Sequence, residues 1–70
     1  MAVSYKKLWI LLIEKDMKKT DLRIQSGIST GALAKLGRNE NVNTEVLAKI
    51  CKTLNCDISD IMEMIPQDDE

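Results

Sequence analysis

Residues 18–38 constrain the fold of this chain more than any other stretch, because they encode two short helices joined by a tight turn. The first helix is predicted to span Lys19–Ser26 and to end at Gly27, since glycine readily adopts the left-handed conformation found at helix ends. Ser29 is a favourable N-cap for a following helix. The second helix is therefore predicted over residues 29–36.

The second of these helices has two unlike faces at the helical period of about 100° per residue. Leu33 and Leu36 lie on one side, and Gly37 is expected to end the helix. The opposite side carries only small, polar and basic residues, namely Thr30, Gly31, Ala34, Lys35 and Arg38. A helix with one buried face and one small basic face fits the major groove of DNA. The stretch therefore predicts a helix-turn-helix.

The 70-residue chain has room for one domain with a small core. Its 44% hydrophobic and 30% charged residues are typical of a globular domain. The most apolar run covers residues 8–13, far shorter than the roughly 18 residues of a membrane span, and no signal-peptide cleavage site follows it. We expect a cytoplasmic protein, ordered over about residues 3–65, with an acidic flexible tail at residues 66–70.

The residue types needed for catalysis or metal binding are largely missing from the sequence. It has no histidine, no glycine-rich phosphate loop, and no serine or cysteine with an evident catalytic partner. Cys51 and Cys56 lie among apolar neighbours, so reduced buried thiols are favoured over a disulfide, and a zinc site would need more ligands. We therefore expect neither an enzyme nor a metal or cofactor site, and no small-molecule effector is evident.

Charge is divided unequally along the chain. Residues 1–52 hold all ten Lys and Arg residues and five acids, a balance of +5, whereas residues 53–70 hold six acids and no Lys or Arg. A basic body with an acidic end is suited to nucleic-acid binding by the body. Ordinary solubility charge is the alternative explanation.

The first helix of the chain is predicted over residues 5–15. The side chains expected to face inward are Leu8, Leu12 and Ile13. The other apolar residues are Trp9, Ile10 and Leu11, which make this helix apolar on nearly every side. Such a helix either lies at the centre of the bundle or meets a partner subunit. Val3 and Tyr5 either pair as a short strand or pack on the domain.

Two further helices are predicted toward the C-terminus. Asn43 is a favourable N-cap for a helix over Thr44–Leu54. Its inner stripe is Val46, Leu47, Ile50, Cys51 and Leu54. Asp57 and Asp60 have the spacing of a capping pair for a last helix over residues 58–65, and Pro66 would end that helix. The chain is accordingly predicted to be all-α, with five helices.

The segments KKTDL, SGIS, ALAKL and NVNTEVLAKICKTLNCDISDIM resemble the Cro/C1-type (Xre-like) helix-turn-helix domains of bacteria and their phages. The similarity covers roughly residues 5–65. It implies a compact five-helix, lambda-repressor-like bundle with a central helix-turn-helix. It also implies a regulator of transcription, expected here to be a repressor, that binds double-stranded DNA as a dimer on a near-palindromic operator.

The resemblance also implies which residues contact DNA. Base contacts are expected from Ser29, Thr30, Gly31, Ala34 and Lys35. Backbone contacts are expected from Lys19, Thr20, Arg38, Asn39, Asn41 and Asn43. The chemistry agrees, because Lys35 can donate to guanine, Thr30 can bond a base edge, and Ala34 can touch a thymine methyl group.

Three positions depart from the family pattern. Gly31 stands where a long side chain is usual, which would let the helix backbone approach the bases closely. Lys18 replaces the usual polar cap of the helix predicted over Lys19–Ser26, and its side chain cannot accept a hydrogen bond from the backbone. Glu40 adds a negative charge to the loop that would face the phosphates.

A single domain of this size contacts few base pairs, so we expect a homodimer with half-sites about 34 Å apart. Its interface is expected to use Trp9 on the first helix or the C-terminal segment that contains Ile61, Met62 and Ile65. The alternative function is a protein-interaction or antitoxin-like module on the same fold, which would use the first and last helices.

Overall fold

Four α-helices follow one another along the chain, and a short strand lies at each end. The structure, a computed structural model, describes residues 2–66. Its elements are β1 (Ala2–Ser4), α1 (Lys6–Glu14), α2 (Lys19–Ser26), α3 (Thr30–Gly37), α4 (Thr44–Leu54), a 3-10 helix (Ile58–Asp60) and β2 (Glu63–Ile65). The bounds predicted for α2 and α4 are confirmed, and those of α1 and α3 differ by one residue. Of the tail predicted at residues 66–70, residues 67–70 lie outside the described residues.

Side-chain caps explain where α3 and α4 begin. Ser29 Oγ accepts a hydrogen bond from the backbone N–H of Ala32 at 3.0 Å. Asn43 Oδ1 accepts one from the N–H of Val46, also at 3.0 Å. Both predicted caps are therefore confirmed, and each gives a partner to a backbone donor that a helix leaves free in its first turn.

The helices end at residues with a left-handed backbone. Gly27 has φ +77° and follows α2, and Asn55 has φ +54° and follows α4. α3 ends at Gly37, as predicted, but Gly37 is its last helical residue, and the left-handed residue of this turn is Asn39, with φ +56°. Asparagine tolerates this conformation better than most residues with a side chain, so it replaces glycine at this turn.

Gly27→Ala is expected to lower the free energy of unfolding by about 1–2 kcal/mol, since a Cβ atom is disfavoured in the left-handed conformation. The space around Gly27 is open, so the cost would come from the backbone and not from a clash. Gly37→Ala is the matched control, because Gly37 is also uncrowded but is helical. Urea denaturation of both variants measures the difference, and an equal effect of the two would contradict the explanation.

The core is built from one face of each helix together with three residues from the connections. Its buried members are Tyr5, Leu8, Leu12, Leu22, Ile28, Ala32, Leu36, Leu47, Ile50, Leu54 and Ile61. The expectation that Ile13 faces inward is wrong, because its side chain is 77% exposed. Leu8 and Leu12 already fill the inward face of α1, and Ile13 lies about 100° away from Leu12 on the helix.

The fifth helix predicted over residues 58–65 is wrong, and the fold is mostly helical instead of all-α. After the 3-10 helix the chain extends, and β2 pairs antiparallel with β1 in the register Ala2–Ile65, Val3–Met64 and Ser4–Glu63. Pairing satisfies backbone groups at both chain ends at once. Of the two alternatives for Val3, the strand is confirmed, whereas Tyr5 packs in the core.

The short 3-10 helix retains half of the predicted capping pair. Asp60 Oδ2 accepts a hydrogen bond from the backbone N–H of Asp57 at 2.9 Å, whereas the side chain of Asp57 makes no capping hydrogen bond. The following residue, Ile61, is fully buried. This tight turn therefore directs Ile61 into the core before the chain enters β2.

Among residues 2–66, no helix has both the length and the apolar character of a membrane span.

Candidate nucleic-acid interface

The unit formed by α2, the turn and α3 is fixed from its inner side. Leu22 of α2, Ile28 of the turn, and Ala32 and Leu36 of α3 are all buried in the core. Gly27 supplies the sharp turn between the helices, so α3 leaves at a set angle and does not continue α2. The remaining surface of α3 is held outward by this packing.

The outward surface of α3 holds all five predicted base-contact residues. Ser29, Thr30, Gly31, Ala34 and Lys35 are exposed. A groove of about 270 Å³ lies beside Gly31 and Lys35, and Val42, Asn43 and Val46 line its other side. The sequence had not indicated that Val42 and Val46 border this surface, and Val46 was assigned to the inner stripe of α4.

Gly31 leaves this surface open because it has no side chain. A Cβ atom built there would meet only Ser29 Oγ, at 3.8 Å, which is an ordinary contact. Packing within the protein therefore does not require glycine at this position. The backbone of α3 is directly accessible at its second residue, where a longer side chain would cover it.

The predicted backbone-contact residues lie in two parts of the chain, at the start of α2 and between α3 and α4. Lys19 and Thr20 are exposed at the start of α2, and the Lys19 Nζ atom lies 4.4 Å from the centre of the Trp9 ring. Such a cation–π contact orients the amine without removing its charge. The other predicted backbone-contact residues are exposed between α3 and α4, namely Arg38, Asn39, Asn41 and Asn43.

Three of these loop residues already hold partners within the protein. Asn43 Oδ1 caps α4, and Asn39 Oδ1 accepts a hydrogen bond from the backbone N–H of Tyr5 at 3.1 Å. Arg38 Nε donates to Glu40 Oε2 at 2.8 Å. Asn43 therefore has the capping role that the sequence predicted, and Asn39 has a structural role that the sequence did not indicate.

Tyr5 connects this loop to the rest of the domain and was missed as a functional residue. Its ring is buried, and its hydroxyl group donates a hydrogen bond to the backbone carbonyl of Glu40 at 2.9 Å. Burial raises the pKa of Tyr5 above its ordinary value, so the hydroxyl group stays protonated as a donor. The sequence signal for this role is weak, since the two residues are 35 positions apart.

The candidate dimer residues fall into two groups. Ile61 is wrong as an interface residue, because its side chain is fully buried in the core of the same chain. Trp9 and Met62 are half-buried, and Ile65 is 43% exposed on β2. Ile10 and Met64 are further large apolar side chains on the surface near these positions.

The two cysteines are half-buried and unpaired at the C-terminal end of α4. Burial raises the pKa of Cys51 to about 11, and burial also raises the pKa of Cys56. Both thiols are therefore protonated near neutral pH, which makes them poor nucleophiles. Within residues 2–66 no group of three or more Cys, Asp or Glu side chains is arranged to hold a metal ion.

Comparison with known proteins agrees with this geometry. The sequence profile of a family described as a Cro/C1-type HTH DNA-binding domain matches residues 7–67. The crystal structure of the transcriptional regulator VanUg (Form II) superposes with a TM-score of 0.91 at 56% sequence identity, over 94% of this chain and 88% of that one. A search of curated proteins found no match.

Proposed function

Since this chain belongs to the Cro/C1-type helix-turn-helix DNA-binding domain family, we propose that it represses transcription by occupying a specific operator through α3. The observation that carries the proposal is the exposed face of α3, where all five candidate base-contact residues lie together. Repression is favoured because an occupied operator excludes other proteins without any further surface. Double-stranded DNA in the bacterial cytoplasm would be its partner.

Base recognition would depend on three side chains of α3, each of which makes a different kind of contact. The Lys35 ammonium group donates to guanine O6 and N7, and the Thr30 hydroxyl group bonds a base edge. The Ala34 methyl group contacts the methyl group of thymine. The open backbone at Gly31 lets the helix sit deep in the groove, so that the short side chains of Thr30 and Ala34 reach the bases.

Phosphate contacts would hold α3 in register from both sides. Lys19 and Thr20 lie at the start of α2, and Asn43 lies at the start of α4. Backbone N–H groups at helix starts favour anions, and such contacts position a protein without reading sequence. Arg38, Asn39 and Asn41 extend this row through the loop.

Selection of bound sequences from a random duplex pool tests the function. The wild-type chain is expected to enrich a short inverted motif, and Thr30→Ala/Lys35→Ala is expected to lose it. Lys6→Ala/Lys52→Ala is the control, because both lysines are exposed outside α3. Failure of the wild-type chain to enrich any motif would contradict operator recognition.

We also propose that two copies associate through β2. The two-stranded sheet leaves an unpaired edge on β2 within the described residues, and Met64 and Ile65 expose apolar side chains there. A strand edge of this kind can pair with a second copy. A two-fold dimer would present two α3 helices to half-sites roughly one turn of DNA apart.

Sedimentation of the wild-type chain with and without DNA checks the dimer. Ile65→Lys is expected to dissociate it, because a buried lysine would lose its hydration. Ile10→Lys, on the exposed face of α1, separates this interface from one built on α1. A monomer at high concentration under both conditions would exclude the dimer, and dissociation by Ile10→Lys alone would move the interface to α1.

A protein-interaction or antitoxin-like module is the second candidate function. It is favoured by three exposed isoleucines, Ile10, Ile13 and Ile24. Exposed apolar side chains are a feature of surfaces that bind a partner protein. The two functions differ in salt dependence. Binding through several phosphates weakens with a log–log slope of about −0.9 per contact, whereas apolar association does not.

A further inference from the structure

Arg38 and Glu40 form an ion pair immediately after α3. Arg38 Nε lies 2.8 Å from Glu40 Oε2, and Arg38 Nη2 lies 3.5 Å from Glu40 Oε1, so both carboxylate oxygens face the guanidinium group. Lys35 and Arg38 are the only basic residues between positions 30 and 43, and Glu40 is the only acidic one. Glu40 therefore halves the net positive charge of the segment that would approach DNA.

The backbone of Glu40 is held in place by the fold. Its N–H donates to the carbonyl of Lys35 at 2.9 Å, and its carbonyl accepts the Tyr5 hydroxyl group at 2.9 Å. Asn39, which precedes it, takes the left-handed conformation and accepts the N–H of Tyr5. The carboxylate is thus presented at the end of α3 by three hydrogen bonds of the surrounding structure, two of which come from Tyr5.

The charge environment keeps this carboxylate ionised. The hydrogen bond from Arg38 lowers the pKa of Glu40 most, and the positive charges of Arg38 and Lys35 lower it further. Glu40 therefore lies within the field of both cations and remains negative near neutral pH.

We propose that Glu40 limits the affinity of the protein for DNA by competing with a backbone phosphate for Arg38. The inference rests on the proposed function and adds to it a residue that weakens the binding of DNA. The ion pair is exposed, and exposed pairs of this kind are weak enough to exchange. A phosphate that binds Arg38 must displace Glu40, so the contact adds less affinity than a free arginine would.

Glu40→Gln tests the proposal, because it removes the charge and keeps the backbone groups that bind Tyr5 and Lys35. Its affinity is measured against a fluorescent 24-base-pair duplex of arbitrary sequence and against the selected operator, between 50 and 200 mM KCl. We expect tighter binding at 50 mM and a log–log salt slope steeper by about 0.9, so that the gain over wild type shrinks by about 3.5-fold across this range. Glu14→Gln is the control, an equal charge change at an exposed acid that ends α1.

A second pair of variants shows whether Arg38 carries the effect. In an Arg38→Gln background, Glu40→Gln is expected to leave the affinity unchanged. A gain that persists there would mean that Glu40 repels phosphates directly, and would overturn the competition with Arg38. No gain in the wild-type background, or an equal gain from Glu14→Gln, would also overturn it.

The failure of the proposed function has a different signature. A wild-type chain that is helical by circular dichroism but binds neither duplex at 50 mM KCl would remove DNA as the ligand, and the role of Glu40 with it. Binding by the wild-type chain with no response to Glu40→Gln would reject the inference and leave the proposed function intact.

Discussion

Lys35→Ala is expected to weaken binding to the operator by about 1–3 kcal/mol, or roughly five- to 150-fold. Lys35 is exposed on the outer face of α3, beside the open groove at Gly31, where its ammonium group would donate to a guanine. The loss should be accompanied by relaxed specificity at one base position. Titration of the operator and of single-base variants measures both effects.

The comparison across sequences distinguishes two roles for Lys35. If Lys35 binds a base, the operator loses affinity and an unrelated duplex changes little. If both duplexes lose affinity equally and the salt slope falls by about 0.9, Lys35 contacts a phosphate instead. Lys52→Ala is the control, since Lys52 is an exposed lysine on α4. A similar loss from Lys52→Ala would indicate only a general effect of net charge.

Ile61→Ala is expected to lower the free energy of unfolding by about 2–5 kcal/mol, because it leaves a cavity in the core. Ile61 is fully buried, whereas Ile13 has the same side chain and is 77% exposed. Ile13→Ala should therefore cost under about 0.5 kcal/mol. Urea denaturation at two protein concentrations measures both variants.

A domain of this size has little stability to lose, and a cost at the upper end of this range would unfold Ile61→Ala. Ile61→Val keeps the measurement possible, with an expected cost of about 0.5–1.5 kcal/mol. A loss in the free energy of unfolding that depends on protein concentration would indicate that Ile61 lies in a subunit interface. A cost equal to that of Ile13→Ala would contradict its place in the core.

Local signals were enough to locate α2, α3 and α4 from the sequence. Gly27, Ser29 and Asn43 each act within a few positions of themselves, through a left-handed turn or a capping hydrogen bond. The apolar spacing of Leu33 and Leu36 then indicated which face of α3 would point outward. This is why the candidate site residues could be placed on one surface before the structure was known.

The errors arose where distant parts of the chain decide the outcome. The segment at residues 58–65 has apolar residues at helical spacing, but β1 gives it a pairing partner about 60 positions away. Tyr5 similarly holds the loop at Asn39 and Glu40 through hydrogen bonds that span more than 30 positions. Periodicity and capping rules describe neighbours along the chain, so they could predict neither the strand pairing nor the hydrogen bonds of Tyr5.

The pairing of β1 with β2 has a kinetic consequence for the folding of the domain. Closing a loop of about 60 residues carries a larger entropic cost than the local contacts between successive helices. The helices are therefore expected to form first and the sheet last. The amide hydrogens of Met64 and its neighbours should then exchange with solvent faster than those in the middle of α4, through openings that separate the chain ends and leave the helix-turn-helix folded.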